Sequence, residues 1–459
     1  MNRPGSLSPE ETALFTDLYE LTMAQSYMQE QMFAPGTFSL FVRQSRVNRP
    51  YLVAAGLEDV LNYLEAFSVS SAAIDYLHST GIFASEFLDY LCHLRFTGNV
   101  RAIPEGRLCF YGEPMLEVTA PIIEAQLVET LVINQLNLQS VVATKAARCF
   151  WSAGNRSVSD FSLRRTHGVD AGMKAARSSY IVGFQSTSNV LAGKTYGIPV
   201  TGTMAHSYVT SFENELESFR AFAKSFPETT VLLIDTYNTV AGAHKAVVVA
   251  HEMESKGNRL RGVRLDSGDL IELSRQVRKI LDEAELGYVT ILASGGLDEF
   301  EVERLVAADA PIDGFGIGTR MGVSGDAPWL DMAYKLVKYD ERPVLKLSTG
   351  KISLADEKQV FRLMDSKGQL SGDVIGLADD QLPEPRADAL LETFMGEGKI
   401  TKPLPSLPEI RERFQQDFSA LDDRFKSLKK ADKYPVRLSS RLRRLQKELE
   451  RKAGTVEME

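Results

Sequence analysis

The chain has 459 residues, 44% of them hydrophobic, with a formal net charge of −9 at neutral pH. That length calls for one large domain plus a smaller one, and the acidic balance argues against generic nucleic-acid binding. No apolar run approaches the roughly 18 residues of a membrane span, and MNRPGSLSPE lacks a signal-peptide core, so a soluble cytoplasmic protein is expected. Cys92, Cys109 and Cys149 form no C-x-x-C pair, so neither a disulfide framework nor a cysteine zinc site is implied.

In chain order, Ser8-Pro9-Glu10-Glu11 predicts a helix start, with Leu14, Leu18, Leu21 and Thr22 on one face. Between about 36 and 120, short strands (TFSLFV, GRLCFYG, PMLEVTA) mix with helices such as GLEDVLNYLEAF, which is the pattern of a separate small α+β domain. A long helical run follows from Glu124 to Gly154.

From about 157 the register changes. SVSDF, YIVGF, IPVTG, VLLIDT, GVRLD, VTILAS and IDGFGIG alternate with helical stretches such as AGAHKAVVVAHEM. Repeated strand–helix alternation with near-continuous apolar strands predicts a parallel sheet covered by helices. Roughly seven such strands favour a (β/α) barrel over an open doubly wound sheet, with an eighth in MAYKLVKYD or before 157. Beyond 340, PVLKLSTGKISL and KQVFRLM read as antiparallel strands rejoining the first domain. A Pro-rich linker around LPEPRAD and KPLPSLPE leads to basic helices, read as a solvated face with Leu438, Leu442, Leu445 and Leu449 packed inward. The expected domains are 1–125, 126–340 and 341–459.

Active sites of such barrels lie at the C-terminal strand ends, and here those ends are unusually polar. VSDF runs into Ser162-Leu163-Arg164-Arg165, VTGT into Met204-Ala205-His206, and VLLID into Thr236-Tyr237-Asn238. Gly295-Gly296 and Gly316-Ile317-Gly318-Thr319 follow the last two strands, where backbone N–H groups can face a phosphate without a Cβ in the way. With no G-x-x-x-x-G-K-[ST], any nucleotide is held without a P-loop. Asp235, Asp266 and Asp269 suit Mg²⁺ or ribose hydroxyls, and Arg264 beside them suits an anion. His206, among small neighbours, has no packing reason to be histidine.

DFSLRRTHG, GTMAHSYV, LLIDTYNT, GVRLDSGDL, ASGGLDE and GFGIGT, in this order, resemble the nicotinate phosphoribosyltransferases. TDLYELTMAQSY and YPVRLS extend the resemblance over nearly the whole chain. It implies a type II phosphoribosyltransferase: an irregular (β/α) TIM-like barrel with a second α/β domain built from both chain ends. It also implies synthesis of nicotinate mononucleotide and pyrophosphate from nicotinate and 5-phosphoribosyl 1-pyrophosphate, coupled to ATP hydrolysis with Mg²⁺, in NAD salvage.

By the same resemblance, His206 is the histidine that ATP phosphorylates, with Asp235 and Asp266 completing the catalytic set. Thr203 and Arg264 contact nicotinate. Gly295, Gly296, Gly318 and Thr319 hold the phosphoribosyl pyrophosphate. Phe161 and a Tyr19 supplied by the partner subunit of a homodimer sandwich the pyridine, with Arg164 nearby. Nicotinamide enzymes place an aspartate in a T-D-T-V-A-G stretch. Here Asn189, in STSNVLAG, falls at or near that place, and Ser and Asn avoid setting two negative charges together. No basic pocket for quinolinate is evident. A phosphosugar isomerase or aldolase could share the glycine loops, and a catalytically idle regulator of NAD metabolism is the remaining alternative.

Overall fold

The computed structural model describes residues 11–43, 48–347, 353–381 and 387–456. The chain divides into two compact units, one of 1–144 with 327–459 and one of 145–326. No described helix is long and apolar enough to cross a membrane.

The first unit is built on long-range antiparallel pairing. Pro35–Val42 lies between Met332–Tyr339 and Pro114–Pro121 in a seven-stranded sheet, so strands about three hundred residues apart in sequence are neighbours. Phe38, Leu40 and Val42 alternate toward a buried side, as the period of a strand requires. MAYKLVKYD therefore belongs to this sheet and not to the parallel one. A four-stranded sheet carries Lys358–Met364 and Leu370–Leu377, and Val436–Leu438 adds to it in parallel. Leu438 is thus a strand residue, and the final helix begins at Ser440, burying Leu442. Arg362, fully buried, joins these parts by ion pairs to Asp373 and Asp417, both at 2.8 Å, and by donating to the Leu108 carbonyl.

The first described turn is a short 3-10 segment, Thr12–Leu14, and the first helix spans Leu18–Gln29. The expected start at Ser8, Pro9 and Glu10 lies outside the described residues. The helix buries Glu20, Leu21 and Ala24 and leaves Leu18, Tyr19 and Thr22 exposed, so the apolar face differs from the one expected. The run from Glu124 is two helices, Ile122–Leu127 and Glu129–Ala153, interrupted at Val128. The Pro-rich residues 382–386 are likewise outside the described set.

The second unit holds six parallel strands: Ser157–Asp160, Ser186–Thr187, Val231–Leu233, Gly262–Leu265, Thr290–Ala293 and Gly314–Ile317. Each pairs with its sequential neighbour except across one gap, and the last, Gly314–Ile317, pairs in parallel with the first. IPVTG contributes a single bridge, Val200 to Thr187, and no ladder joins it to Val231–Leu233 among the described residues. YIVGF is not a strand. Its Tyr180 and Ile181 end the Val169–Ile181 helix, which the chain leaves through Gly183 at φ +121°. A β-branched and aromatic run here fills a buried helix end.

Candidate active site

The C-terminal ends of the parallel strands surround a cavity of about 530 Å³. Phe161, Arg164, His206, Arg264, Asp266, Gly295, Gly296, Gly318 and Thr319, all expected from sequence, line it together. Thr203 lines an adjoining cavity of about 650 Å³ that shares Phe161, Gly202, Arg264 and Gly316 with the first. Three arginines, Arg164, Arg165 and Arg264, face the first cavity against one carboxylate, Asp266, so the site favours anions.

Phe161 follows the first parallel strand, and its N–H donates to the Ile317 carbonyl at 2.8 Å. Its ring lies directly over Gly316, where a Cβ would come within 2.4 Å of the ring. Gly316 is therefore required for the ring to rest on the neighbouring strand and keep its other face open.

The Arg264 guanidinium donates to the Met204 carbonyl at 2.9 Å, which ties the arginine to the His206 segment. Its Nε is buried without a hydrogen-bond partner. Burial pushes the guanidinium pKa below its ordinary range, the Asp266 and Asp235 carboxylates oppose this, and Arg164 adds to it. An anionic ligand would relieve both the charge and the unsatisfied donor.

His206 begins the short helix His206–Thr210. Its Nδ1 is 3.1 Å from the Thr236 hydroxyl, and its Nε2 is 3.8 Å from Asp266 Oδ2. Asp235 does not line the cavity. Its Oδ2 accepts from the Asp266 N–H and the Ser267 hydroxyl, and its Oδ1 is buried without a partner. Asp269 caps the helix Leu270–Glu283, accepting from the Ile271 and Glu272 N–H groups. Among the described residues, no cluster of three or more His, Cys, Asp or Glu is placed to hold a metal ion. Of Asp235 and Asp266, only Asp266 faces the cavity, so the site fits a cation that arrives already bound to a polyphosphate better than one held by the protein alone.

The glycine loops differ in detail from expectation. Gly295 and Gly296 adopt φ +88° and +69°, which favours glycine. The helix that follows, Glu299–Ala307, already has Asp298 accepting from the Phe300 and Glu301 N–H groups. An anion here would meet the loop's own amides and not the helix terminus.

One expected substrate contact, Asn189, lies off the cavity, and Tyr19 was expected there only from a partner subunit. Asn189 is buried as the cap of the helix Val190–Tyr196: it accepts from the Ala192 N–H and donates to the Gly172 carbonyl. It does not line the cavity, and the adjacent Ser188 does. Tyr19 belongs to the first unit, 47% exposed, on a groove with Trp329. Sequence reasoning left three site residues without a role: Ser188, Thr236, and Arg165, whose guanidinium donates to the Thr319 hydroxyl at 3.2 Å. Arg165, inside the LRRTH turn, and Thr236, in the polar turn after VLLID, carried a local signal, and Ser188 did not.

Glycine loops, three arginines and an anchored histidine around one strand-end cavity define a phosphate-handling enzyme of the α/β class. Residues 14–137 match the nicotinate phosphoribosyltransferase N-terminal domain, 156–341 the nicotinate phosphoribosyltransferase family, and 383–446 its C-terminal domain. The chain is 48% identical to a nicotinate phosphoribosyltransferase of Mycobacterium tuberculosis over 94% of this chain and 92% of that protein. It is 35% identical to that of Bacillus subtilis, covering 94% and 93%. The crystal structure of human nicotinic acid phosphoribosyltransferase superposes with a TM-score of 0.86 at 31% identity, covering 95% of this chain and 99% of that one. The chain belongs to the nicotinate phosphoribosyltransferase family.

Proposed function

We propose that this enzyme transfers the phosphoribosyl group of 5-phosphoribosyl 1-pyrophosphate to nicotinate, releasing pyrophosphate, and couples the reaction to ATP hydrolysis through a phosphohistidine at His206. The observation that carries the reading is Arg264: a desolvated guanidinium with an unpartnered Nε, lining the same cavity as the Phe161 ring and both glycine loops.

Nicotinate is flat and negatively charged at one edge. Phe161 offers one ring face, while Arg264 and Thr203 take the carboxylate. Ser188 on the cavity wall supports nicotinate over its amide, because a neutral hydroxyl there does not repel the carboxylate. Tyr19 closes the other ring face from a second copy of the chain, a role supported by its exposure beside Trp329. The loops at Gly295-Gly296 and Gly318-Thr319 receive the phosphoribosyl pyrophosphate, with Arg165 steadying Thr319.

The pyridine nitrogen carries its own lone pair, so attack on C1 of the ribose needs no strong base. The task of the protein is alignment and stabilisation of charge as the C1–O bond to pyrophosphate breaks. Asp266, which lines the cavity, would orient Mg²⁺ brought in by the polyphosphate, with Asp235 accepting from the Asp266 N–H to position it, and that ion would neutralise the departing pyrophosphate. The six paired strands, with the last joined to the first, support an irregular TIM-like barrel with one unladdered seam. The setting we propose is the cytoplasm, in NAD salvage.

The test is release of pyrophosphate and ADP from phosphoribosyl pyrophosphate and ATP, measured separately with nicotinate, nicotinamide and quinolinate. Turnover with nicotinate alone is expected. Turnover with either of the other two, and none with nicotinate, overturns the reading.

A further inference from the structure

Asp160, the last residue of the first parallel strand, is completely buried and faces only hydrogen-bond donors. Its Oδ1 accepts from the Ser162 N–H at 2.8 Å and from the Ser162 hydroxyl at 2.6 Å. Its Oδ2 accepts from the Thr187 hydroxyl at 2.7 Å. Its own carbonyl accepts from the Ser188 N–H at 2.8 Å. The Thr187 hydroxyl donates here, because an ionised carboxylate only accepts, and the same hydroxyl oxygen accepts from the Asn189 N–H at 3.0 Å.

These bonds connect two walls of one slot. On one side, Asp160 and Ser162 flank Phe161, whose ring lies over Gly316. On the other, Thr187 and Asn189 flank Ser188, which faces the same cavity. We infer that Asp160 is a positioning residue for the flat anionic substrate: it touches no ligand but sets the separation of the Phe161 and Ser188 walls. A buried carboxylate is costly, and burial does raise its pKa against the opposing hydrogen bonds from Ser162 and Thr187. Two hydroxyls and an amide could be joined by a less costly group if folding were the only requirement. A carboxylate accepts all three at once, with both oxygens in one rigid plane.

An asparagine at this position cannot reproduce the pattern. Its NH₂ group, turned toward Ser162, meets an N–H head on. Turned toward Thr187, it takes away the acceptor of the Thr187 hydroxyl proton. One wall then shifts, while the glycine loops that hold the phosphoribosyl group lie on other strands.

This inference rests on the proposed reaction, so the wild-type enzyme is assayed first, and absence of nicotinate turnover there counts against that reaction alone. Asp160→Asn and Thr187→Val are then compared for thermal stability and for KM toward each substrate. In Asp160→Asn, KM for nicotinate is expected to rise by about tenfold or more while KM for phosphoribosyl pyrophosphate stays within about twofold. Thr187→Val, which removes the donor to Asp160 and the acceptor of the Asn189 N–H, is expected to show the same selectivity at about threefold while melting within about 4 °C of wild type. A nicotinate KM unchanged in Thr187→Val overturns the inference, even where Asp160→Asn does not fold. So does an equal rise in both KM values in either variant.

Discussion

The imidazole of His206 is held at one nitrogen and free at the other: Nδ1 lies 3.1 Å from the Thr236 hydroxyl, while Nε2 faces the cavity 3.8 Å from Asp266. With Nδ1–H donating to Thr236, the lone pair of Nε2 is available to a phosphoryl group. His206→Ala is expected to abolish ATP-dependent protein phosphorylation and ATP hydrolysis coupled to turnover, while some phosphoribosyl transfer remains. Thr236→Val should retain the histidine but lower phosphorylation by about tenfold, because the ring is no longer oriented. Radiolabel from γ-phosphate-labelled ATP reads both. Undiminished coupling in His206→Ala would exclude the phosphohistidine.

The two neighbouring glycines should respond differently to the same substitution. A Cβ on Gly295 would come within 1.9 Å of the Asp266 carbonyl oxygen, whereas a Cβ on Gly296 meets open space. Gly296→Ala is expected to cost about 1–2 kcal/mol of stability, the penalty of a left-handed backbone alone. Gly295→Ala must also push the loop away from the Asp266 strand, and KM for phosphoribosyl pyrophosphate should rise about 10- to 100-fold. Equal effects of the two variants would show that the loop's position does not govern phosphate binding.

Glu20 gives the fold a pH dependence. Burial raises its carboxyl to about 7, against hydrogen bonds from Thr130 and Thr16, and the charges of Glu129 and Asp17 add to the rise. The folded state thus binds this proton more tightly than the unfolded chain, whose glutamate titrates near 4.5. Its contribution is fully present below that lower value and is lost as pH rises toward about 7. Urea midpoints at pH 5 and pH 8 should therefore fall more steeply for wild type than for Glu20→Gln. Identical slopes would remove Glu20 as the cause.

Arg362→Met should be severely destabilising. It leaves the buried Asp373 and the neighbouring Asp417 without the cation that both pair with at 2.8 Å. Breaking a buried pair in this way costs about 3–5 kcal/mol. Equilibrium urea unfolding checks it, and a loss under about 1 kcal/mol would place the variant among ordinary surface changes.

Much of the site was legible because each strand passes abruptly from apolar residues to a polar or glycine-rich turn. Val158, Leu233, Leu265 and Ala293 are buried, and the residues just beyond them surround the cavity or orient those that do. The misread elements share a physical cause. In YIVGF, burial at a helix end produces the same composition as a strand, and in MAYKLVKYD the partner strand lies at Pro35–Val42, beyond the reach of any local pattern. Asn189 and Ser188 are adjacent polar residues, and only the capping of the next helix decides which one turns inward. Thr236 and Asp160 act through bonds spanning 30 and 27 positions, so no spacing rule marks them.

The gap beside Val200 has a mechanical consequence. By backbone hydrogen bonds, the stretch leading to Thr203 and His206 is joined to the sheet on one side only among the described residues, by the Thr187 N–H donating to the Pro199 carbonyl and the Thr201 N–H donating to the Thr187 carbonyl. The strands that carry Arg264 and the glycine loops are laddered on both sides. The wall bearing the histidine therefore has fewer backbone ladders than the strands facing it and is held on its other side by side chains, Arg264 to the Met204 carbonyl and His206 to the Thr236 hydroxyl. If His206 is phosphorylated as proposed, the added group would load the wall with the fewest backbone ladders and leave the pairing of the strands that carry Arg264 and the glycine loops intact.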